Sequence, residues 1–234
     1  MAIRTAVIPA AGIGTRFLPV SKSVPKEMLP LVDYPAIQHC VEQAVQCGIE
    51  RIVLVTSRGK KAIEDYFSVA PELERILGER NNPKLEQVAR VSRLAEIVPV
   101  MQHEQLGLGH AVLCARDAVA NEPFMVYLPD EILIGQPSAT EQVLTVFESL
   151  QGSVIGVMEQ PTEELERYGV AAGANVSSRT MQLSHVVEKP KPGTAPSNLA
   201  IFGPYAFTPS IFESLASLSP GALGEIQLSD AIDA

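Results

Sequence analysis

The chain has 234 residues, 46% hydrophobic and 19% charged, with a formal net charge of −9. That balance excludes a disordered chain and fits one large α/β domain or two small ones. It argues against a nucleic-acid-binding face, which needs a basic surface, and no apolar run is long enough to span a bilayer.

Strand-like apolar runs alternate with amphipathic helix-like segments, the pattern of a mostly parallel sheet covered on both faces. MAIRTAVIPA leads into a first strand over residues 5–9; its apolar part is too short for a secretory leader. A helix opens at Pro35, places Ile37, Cys40, Val41, Ala44 and Val45 on one face, and stops at Gly48. RIVLVT, residues 51–56, is a second buried strand, followed by a short helix over 60–67. Residues 71–94 read as one or two exposed helices forming a peripheral insertion. Their Arg80, Lys84, Arg90 and Arg93 are interleaved with Glu72, Glu74, Glu79 and Glu86, so they form a solvated face rather than a basic patch. Further strands are expected over 97–101, 124–128 and 153–158, with helices over 110–119 and 140–150. From residue 161 the rhythm changes. Short strands over 169–172, 183–188 and 199–207 and a helix over 209–218 suggest a smaller α+β part closing over the first. The three cysteines, Cys40, Cys47 and Cys114, sit in apolar helical patterns and read as reduced core thiols of a cytoplasmic protein.

The most informative stretch is AVIPAAGIGTRFLPVSKSVPKEMLPL, residues 6–31. A strand runs into a loop of small residues, and fixed cations follow. Without a Cβ, Gly12 and Gly14 let backbone N–H groups approach an anion. Arg16 adds a planar fork for phosphate oxygens and Lys26 a compact point charge. In so acidic a chain, an anionic substrate must be met by local cations; Arg16, Lys22, Lys26, Lys189 and Lys191 are the candidates. Asp130 closes the strand at LPDEIL, and ligands gather at the carboxyl ends of strands in open α/β sheets. A carboxylate there, opposite a polyphosphate held by the loop, reads as a magnesium ligand. Glu131 is the weaker candidate, since its neighbour points the other way on an extended backbone.

The pattern A-A-G-x-G-T-R-x-L-P followed by P-K-E-M-L-P-L resembles the signature of the sugar-1-phosphate nucleotidyltransferases. The likeness continues through LVDYPAIQHCVEQAVQCGI, GLGHAVLCA, LPDEIL, YGV, VVEKPKP, SNLAIFG and GEIQLSDAI, and so covers nearly the whole chain. The spelling K-E-M-L-P is similar to the branch that joins UTP to glucose 1-phosphate. The resemblance implies a Rossmann-like α/β fold in a single domain, 1–234, with a nucleotide-binding part over 1–160 and a sugar-binding part over 161–234. It implies in-line attack of the sugar phosphate on the α-phosphorus of UTP, giving UDP-glucose and pyrophosphate with magnesium as cofactor. Arg16, Lys26 and Lys189 take catalytic roles by this likeness, and Asp130 holds the metal. Ala10, Ala11, Gly12, Gly14, Thr15, Glu27, Gln102 and Gly107 would contact the nucleotide. Gly169, Glu188 and Lys189 would contact the sugar phosphate. Alternation along a strand sets Glu188 and Lys189 on opposite faces unless the end at Pro190 twists it. His110 tempts as a general base, yet an attacking phosphate needs no deprotonation, so a helix-start or packing role is expected.

Two departures stand out. Pro204 occupies a position where family members often have Arg. Family chains also continue past GEIQLSDAI into a further strand, loop and helices carrying a D-C-G-like segment, so the 161–234 part is expected to be C-terminally incomplete. Thymidylyl transfer, or a nucleotide-binding paralogue with impaired catalysis, remains an alternative, and a homo-oligomer stays open. An NAD-binding domain fits less well. The loop reads G-x-G-T-R rather than G-x-G-x-x-G, and Val55-Thr56-Ser57 stands where an acidic residue would end the second strand.

Overall fold

In the computed structural model, which describes residues 2–221 and 224–234, the first apolar run forms β1 (Thr5–Pro9). A short hairpin of β2 (Pro30–Leu31) and β3 (Tyr34–Pro35) precedes α1 (Ala36–Gln46). Then come β4 (Arg51–Thr56), α2 (Lys61–Phe67), α3 (Pro71–Glu79), α4 (Lys84–Val91) and β5 (Glu96–Met101). The middle of the chain holds α5 (Leu108–Cys114), α6 (Arg116–Val119), β6 (Phe124–Val126), α7 (Ala139–Leu150) and β7 (Val154–Glu159). The last part holds β8 (Gly169–Asn175), β9 (Met181–Glu188), β10 (Leu199–Phe207), α8 (Ile211–Ser217) and α9 (Leu228–Asp233).

Eight strands form one sheet in the order β5-β4-β1-β6-β10-β8-β9, with β7 also pairing β10. The β5-β4-β1-β6 half is parallel. β10 runs antiparallel to β6 and continues the sheet into an antiparallel half. The strands after residue 161 therefore extend the first sheet instead of building a second one.

Alternation along β1 sorts its side chains between two cores. Ala6 and Ile8 face a cluster with Ile37, Val41 and Ala44 of α1 and Phe147 of α7. Val7 faces the opposite cluster with Val112 of α5, Phe212 and Leu215 of α8, and Leu228 of α9. Helices thus cover both faces, as the alternating pattern implied. All three cysteines are free thiols. No helix among the described residues is long and apolar enough to cross a membrane.

Several boundaries differ from expectation. β6 stops at Val126 because the chain leaves the strand after the Tyr127 N–H donates to the Val7 carbonyl, and residues 128–131 form a turn. The expected helix over 110–119 begins two residues earlier, after Gly107 at φ +94°, and breaks into α5 and α6 at Ala115. β8 and β9 are longer than their apolar cores, since backbone pairing carries them to Asn175 and Met181.

Phe124 is fully buried, stacked on Phe212 at 4.9 Å between ring centroids and 6.0 Å from Phe207. Phe124→Ala is expected to destabilise the fold by ~3–5 kcal/mol, through lost burial and a retained cavity. Urea denaturation checks this; an unchanged midpoint would show that the site collapses without cost.

Candidate active site

At the carboxyl ends of β1, β4, β5 and β6 lies a cleft of ≈ 650 Å³. Its floor starts in the loop after β1. The Ala10 N–H donates to the Val55 carbonyl (2.7 Å), and Ser57 Oγ donates to the Ala11 carbonyl (2.8 Å), which pins the loop to the end of β4. A Cβ on Gly12 would meet open space, so its backbone faces the cleft unobstructed. Gly14 has φ +70°, and a Cβ there would also lie 3.3 Å from Lys26 Cβ. Ser21 Oγ donates to the Gly14 carbonyl at 2.8 Å. Arg16 is exposed on the cleft wall and makes no ion pair among the described residues.

Opposite the loop, residues 26–28 form a 3-10 turn whose first two side chains diverge. Lys26 Nζ reaches Asp130 Oδ2 at 2.6 Å, beyond the end of β6. Glu27, only 2% exposed, turns inward, and both its oxygens accept from Lys60 Nζ at 2.9 and 2.8 Å. Lys60 is 7% exposed; burial lowers its ammonium pKa, and the Glu27 carboxylate opposes that shift. Lys60 stands outside every motif read from the sequence, in the ordinary-looking run RGKKA. Glu131 also lines the cleft, with its Oε2 accepting from the Gly203 N–H at 2.8 Å. Burial raises the Glu131 carboxyl, against that hydrogen bond.

Gln102 follows β5 and is buried. Its side-chain nitrogen donates to the Gly107 carbonyl at 3.2 Å and lies 3.0 Å from His110 Nδ1. His110 packs within α5 rather than standing free in the cleft. Gly107 is constrained from behind: a Cβ would lie 2.9 Å from both Glu225 Cβ and the Ile226 carbonyl. The segment 225–227 is pinned there by the Ile226 N–H on Leu106 and the Gly109 N–H on Ile226.

On the far side, Gly169 of β8 pairs with Glu188 of β9, and a Cβ on Gly169 would crowd Glu188 Oε2 at 3.2 Å. Strand β9 ends at Glu188, and Lys189 adopts φ +45°. That left-handed step breaks the alternation, so both side chains line the cleft, with Lys189 Nζ 3.3 Å from Glu188 Oε1. Ser229 Oγ donates to Glu188 Oε2 at 2.8 Å from α9. The helix is itself tied to β9, where Asp233 Oδ1 accepts from the Val186 N–H (2.6 Å) and pairs with His185 Nδ1 (2.7 Å). Ser229 was missed by sequence reasoning, although it lies inside the quoted GEIQLSDAI run.

The cleft brings together the site residues that the resemblance implies except Ala10, which is fully buried behind the loop; of the candidate cations, Arg16, Lys26 and Lys189 line it, whereas Lys22 and Lys191 do not. Among the described residues no three His, Cys, Asp or Glu side chains form a metal cage. The Asp130 carboxylate is 53% exposed. A magnesium ion binds through one or two carboxylates plus phosphate and water oxygens, so this accessible carboxylate, paired with Lys26 at the edge of a nucleotide-sized cleft, is compatible with one.

A strand, a glycine loop, and paired cations at the carboxyl end of a parallel sheet define a nucleotide-handling enzyme site. The chain belongs to the nucleotidyl transferase family, whose model matches residues 5–234. It is 51% identical over 231 residues to a UTP–glucose-1-phosphate uridylyltransferase of Bacillus subtilis (strain 168), covering 98% of this chain and 79% of that protein. A protein of the same name from Staphylococcus haemolyticus (strain JCSC1435) is 49% identical over 232 residues, covering 99% and 81%. Among solved structures, a UDP-glucose pyrophosphorylase complexed with UDP-glucose superposes with a TM-score of 0.89 at 39% identity, over 99% of this chain and 86% of that one. A UTP-bound UGPase from Acinetobacter baumannii gives 0.88 at 40% identity, over 99% and 81%.

Lys60→Met strands the Glu27 carboxylate in a buried site. The expected cost is ~3–5 kcal/mol, as for breaking a buried pair from one side, and the double variant Lys60→Met/Glu27→Gln recovers most of it. Chemical denaturation of the three proteins checks this; a single variant as stable as the parent contradicts a structural role for the pair.

Proposed function

We propose that the chain transfers a uridylyl group from UTP to glucose 1-phosphate, making UDP-glucose and pyrophosphate. The observation that carries this reading is the meeting, in one cleft, of the loop carrying Gly12, Gly14 and Arg16, the Lys26–Asp130 pair, and the Glu188–Lys189 corner. The names borne by the relatives and structural neighbours point the same way.

Backbone N–H groups of Gly12, Gly14 and Thr15 seat the triphosphate, with Ala11 beside them. Arg16 forks onto the β- and γ-phosphates. Gln102 and Gly107 face the uracil. On the sugar side, Glu188 accepts from two glucose hydroxyls, Gly169 lets the ring lie close, and Lys189 grips the sugar phosphate. A phosphate oxygen of the sugar then attacks the α-phosphorus. The bond from that phosphorus to the bridging oxygen of the β-phosphate breaks, and pyrophosphate leaves opposite the attacking oxygen. No side chain forms a covalent bond, so the residues position the reactants and stabilise charge. Lys26 leaves Asp130 to meet the negative charge growing on the pyrophosphate. Glu27 holds the turn from below through Lys60.

Asp130 is the residue that would hold magnesium. When bound, that ion supplies charge neutralisation to the phosphates. In this reading residues 1–160 furnish the nucleotide side of the single domain and 161–234 the sugar side.

Pyrophosphate release from UTP and glucose 1-phosphate tests the proposal; a folded protein that binds UTP and releases none contradicts it. Lys26→Ala is expected to lower kcat/KM by ~100-fold or more, the scale of losing one transition-state charge contact, with the circular dichroism spectrum retained. Asp130→Asn is expected to abolish the magnesium-dependent component. Parent-like turnover in the first variant, or an unchanged magnesium response in the second, removes that residue from its assigned role.

A further inference from the structure

The Gln102 amide has two orientations available, one turning its nitrogen inward and one its oxygen. The Gly107 carbonyl decides between them. It is an acceptor only, it already takes the Ala111 N–H at 3.1 Å, and it lies 3.2 Å from the Gln102 side-chain nitrogen. The nitrogen must therefore face inward. The same nitrogen lies 3.0 Å from His110 Nδ1. With one N–H on Gly107, its second N–H points at Nδ1, so Nδ1 is the unprotonated acceptor. The imidazole proton then sits on Nε2, the side on which Cys114 Sγ lies at 3.8 Å. Hydrogen-bond polarity is thus fixed from a backbone carbonyl through the amide to the histidine. Both donors of Gln102 are used within the protein. Its Oε1 accepts from no protein donor among the described residues, is not sealed from solvent, and belongs to a residue lining the cleft.

We propose that His110 is a positioning residue for nucleobase choice, which holds Gln102 with only an acceptor turned to the cleft. This rests on the uridylyltransferase reading above. An acceptor pairs with the imide N3–H of uracil. Cytosine meets it with a ring-nitrogen lone pair and is disfavoured. Thymine carries the same imide, so this contact separates UTP from CTP and does not separate UTP from dTTP. His110 never touches the base. It acts by supplying the second anchor that keeps the amide from rotating.

Steady-state kinetics with UTP and CTP, each at saturating glucose 1-phosphate, test the idea in three proteins. His110→Leu removes the acceptor and keeps an apolar filler. His110→Asn places an acceptor oxygen near the former Nδ1. His110→Leu is expected to raise KM for UTP and narrow the UTP/CTP ratio of kcat/KM by ~3- to 10-fold, the scale of one lost hydrogen bond. KM for glucose 1-phosphate stays within about twofold, because the change lies on the base side of the cleft. His110→Asn recovers most of the ratio. A leucine variant with the parent UTP/CTP ratio overturns the proposal, as does an asparagine variant no better than leucine. If the leucine variant fails to fold, His110→Ala carries the same comparison. A parent protein without uridylyl transfer defeats the functional reading itself, a failure visible before any variant is made.

Discussion

Two neighbouring residues of opposite charge, Lys26 and Glu27, share one tight turn, and each is held from elsewhere in the chain. Glu27 is buried against Lys60, so the turn cannot drift from the end of β4 and the start of α2. Lys26 is left to project over the glycine loop toward Asp130. The arrangement answers a constraint set by composition. A chain with a net charge of −9 repels a polyphosphate unless its few cations are concentrated where the anion sits. A buried ion pair gives little net stability, because desolvation offsets attraction. Its value here is geometric: it holds in place the turn that aims the neighbouring lysine.

A second dependence runs through β10. It pairs with β6 on the parallel side and with β7 and β8 on the antiparallel side, so one strand joins the two halves of the sheet. Glu131, next to Asp130, reaches back to the Gly203 N–H in the same strand. The far wall is closed by α9, which touches β9 through Asp233 and Ser229. The Asp130 corner and the Glu188 corner are thereby both referenced to one continuous sheet. Small changes in its register would move them together.

Much of this was legible in the sequence because it is carried by local pattern. The parallel strands announce themselves as short runs of buried Val, Ile and Leu, and the loop after β1 by its glycines and fixed cations. The less legible parts depend on distant pairing. Lys60 and Glu27 are 33 residues apart, and Ser229 and Glu188 are 41 apart. Nothing in either neighbourhood marks one as the other's partner. The Glu188–Lys189 difficulty shows a different limit. Strict alternation separates the two side chains, and only a left-handed backbone at a lysine brings them to one side. No residue preference predicts that step at a lysine. Gly107 carries a similar lesson. The resemblance placed it beside the nucleotide, and the structure adds the close approach of residues 225–226 from behind.

The claim on which all of this depends is that the cleft is built first for phosphate. Calorimetric titration with UTP, UDP, UMP and uridine, without sugar phosphate, tests it most directly. Cations and backbone amides at the glycine loop require affinity to fall with each phosphate removed, by at least ~10-fold for the loss of a charge-assisted contact. Equal affinity for UTP and uridine would contradict it.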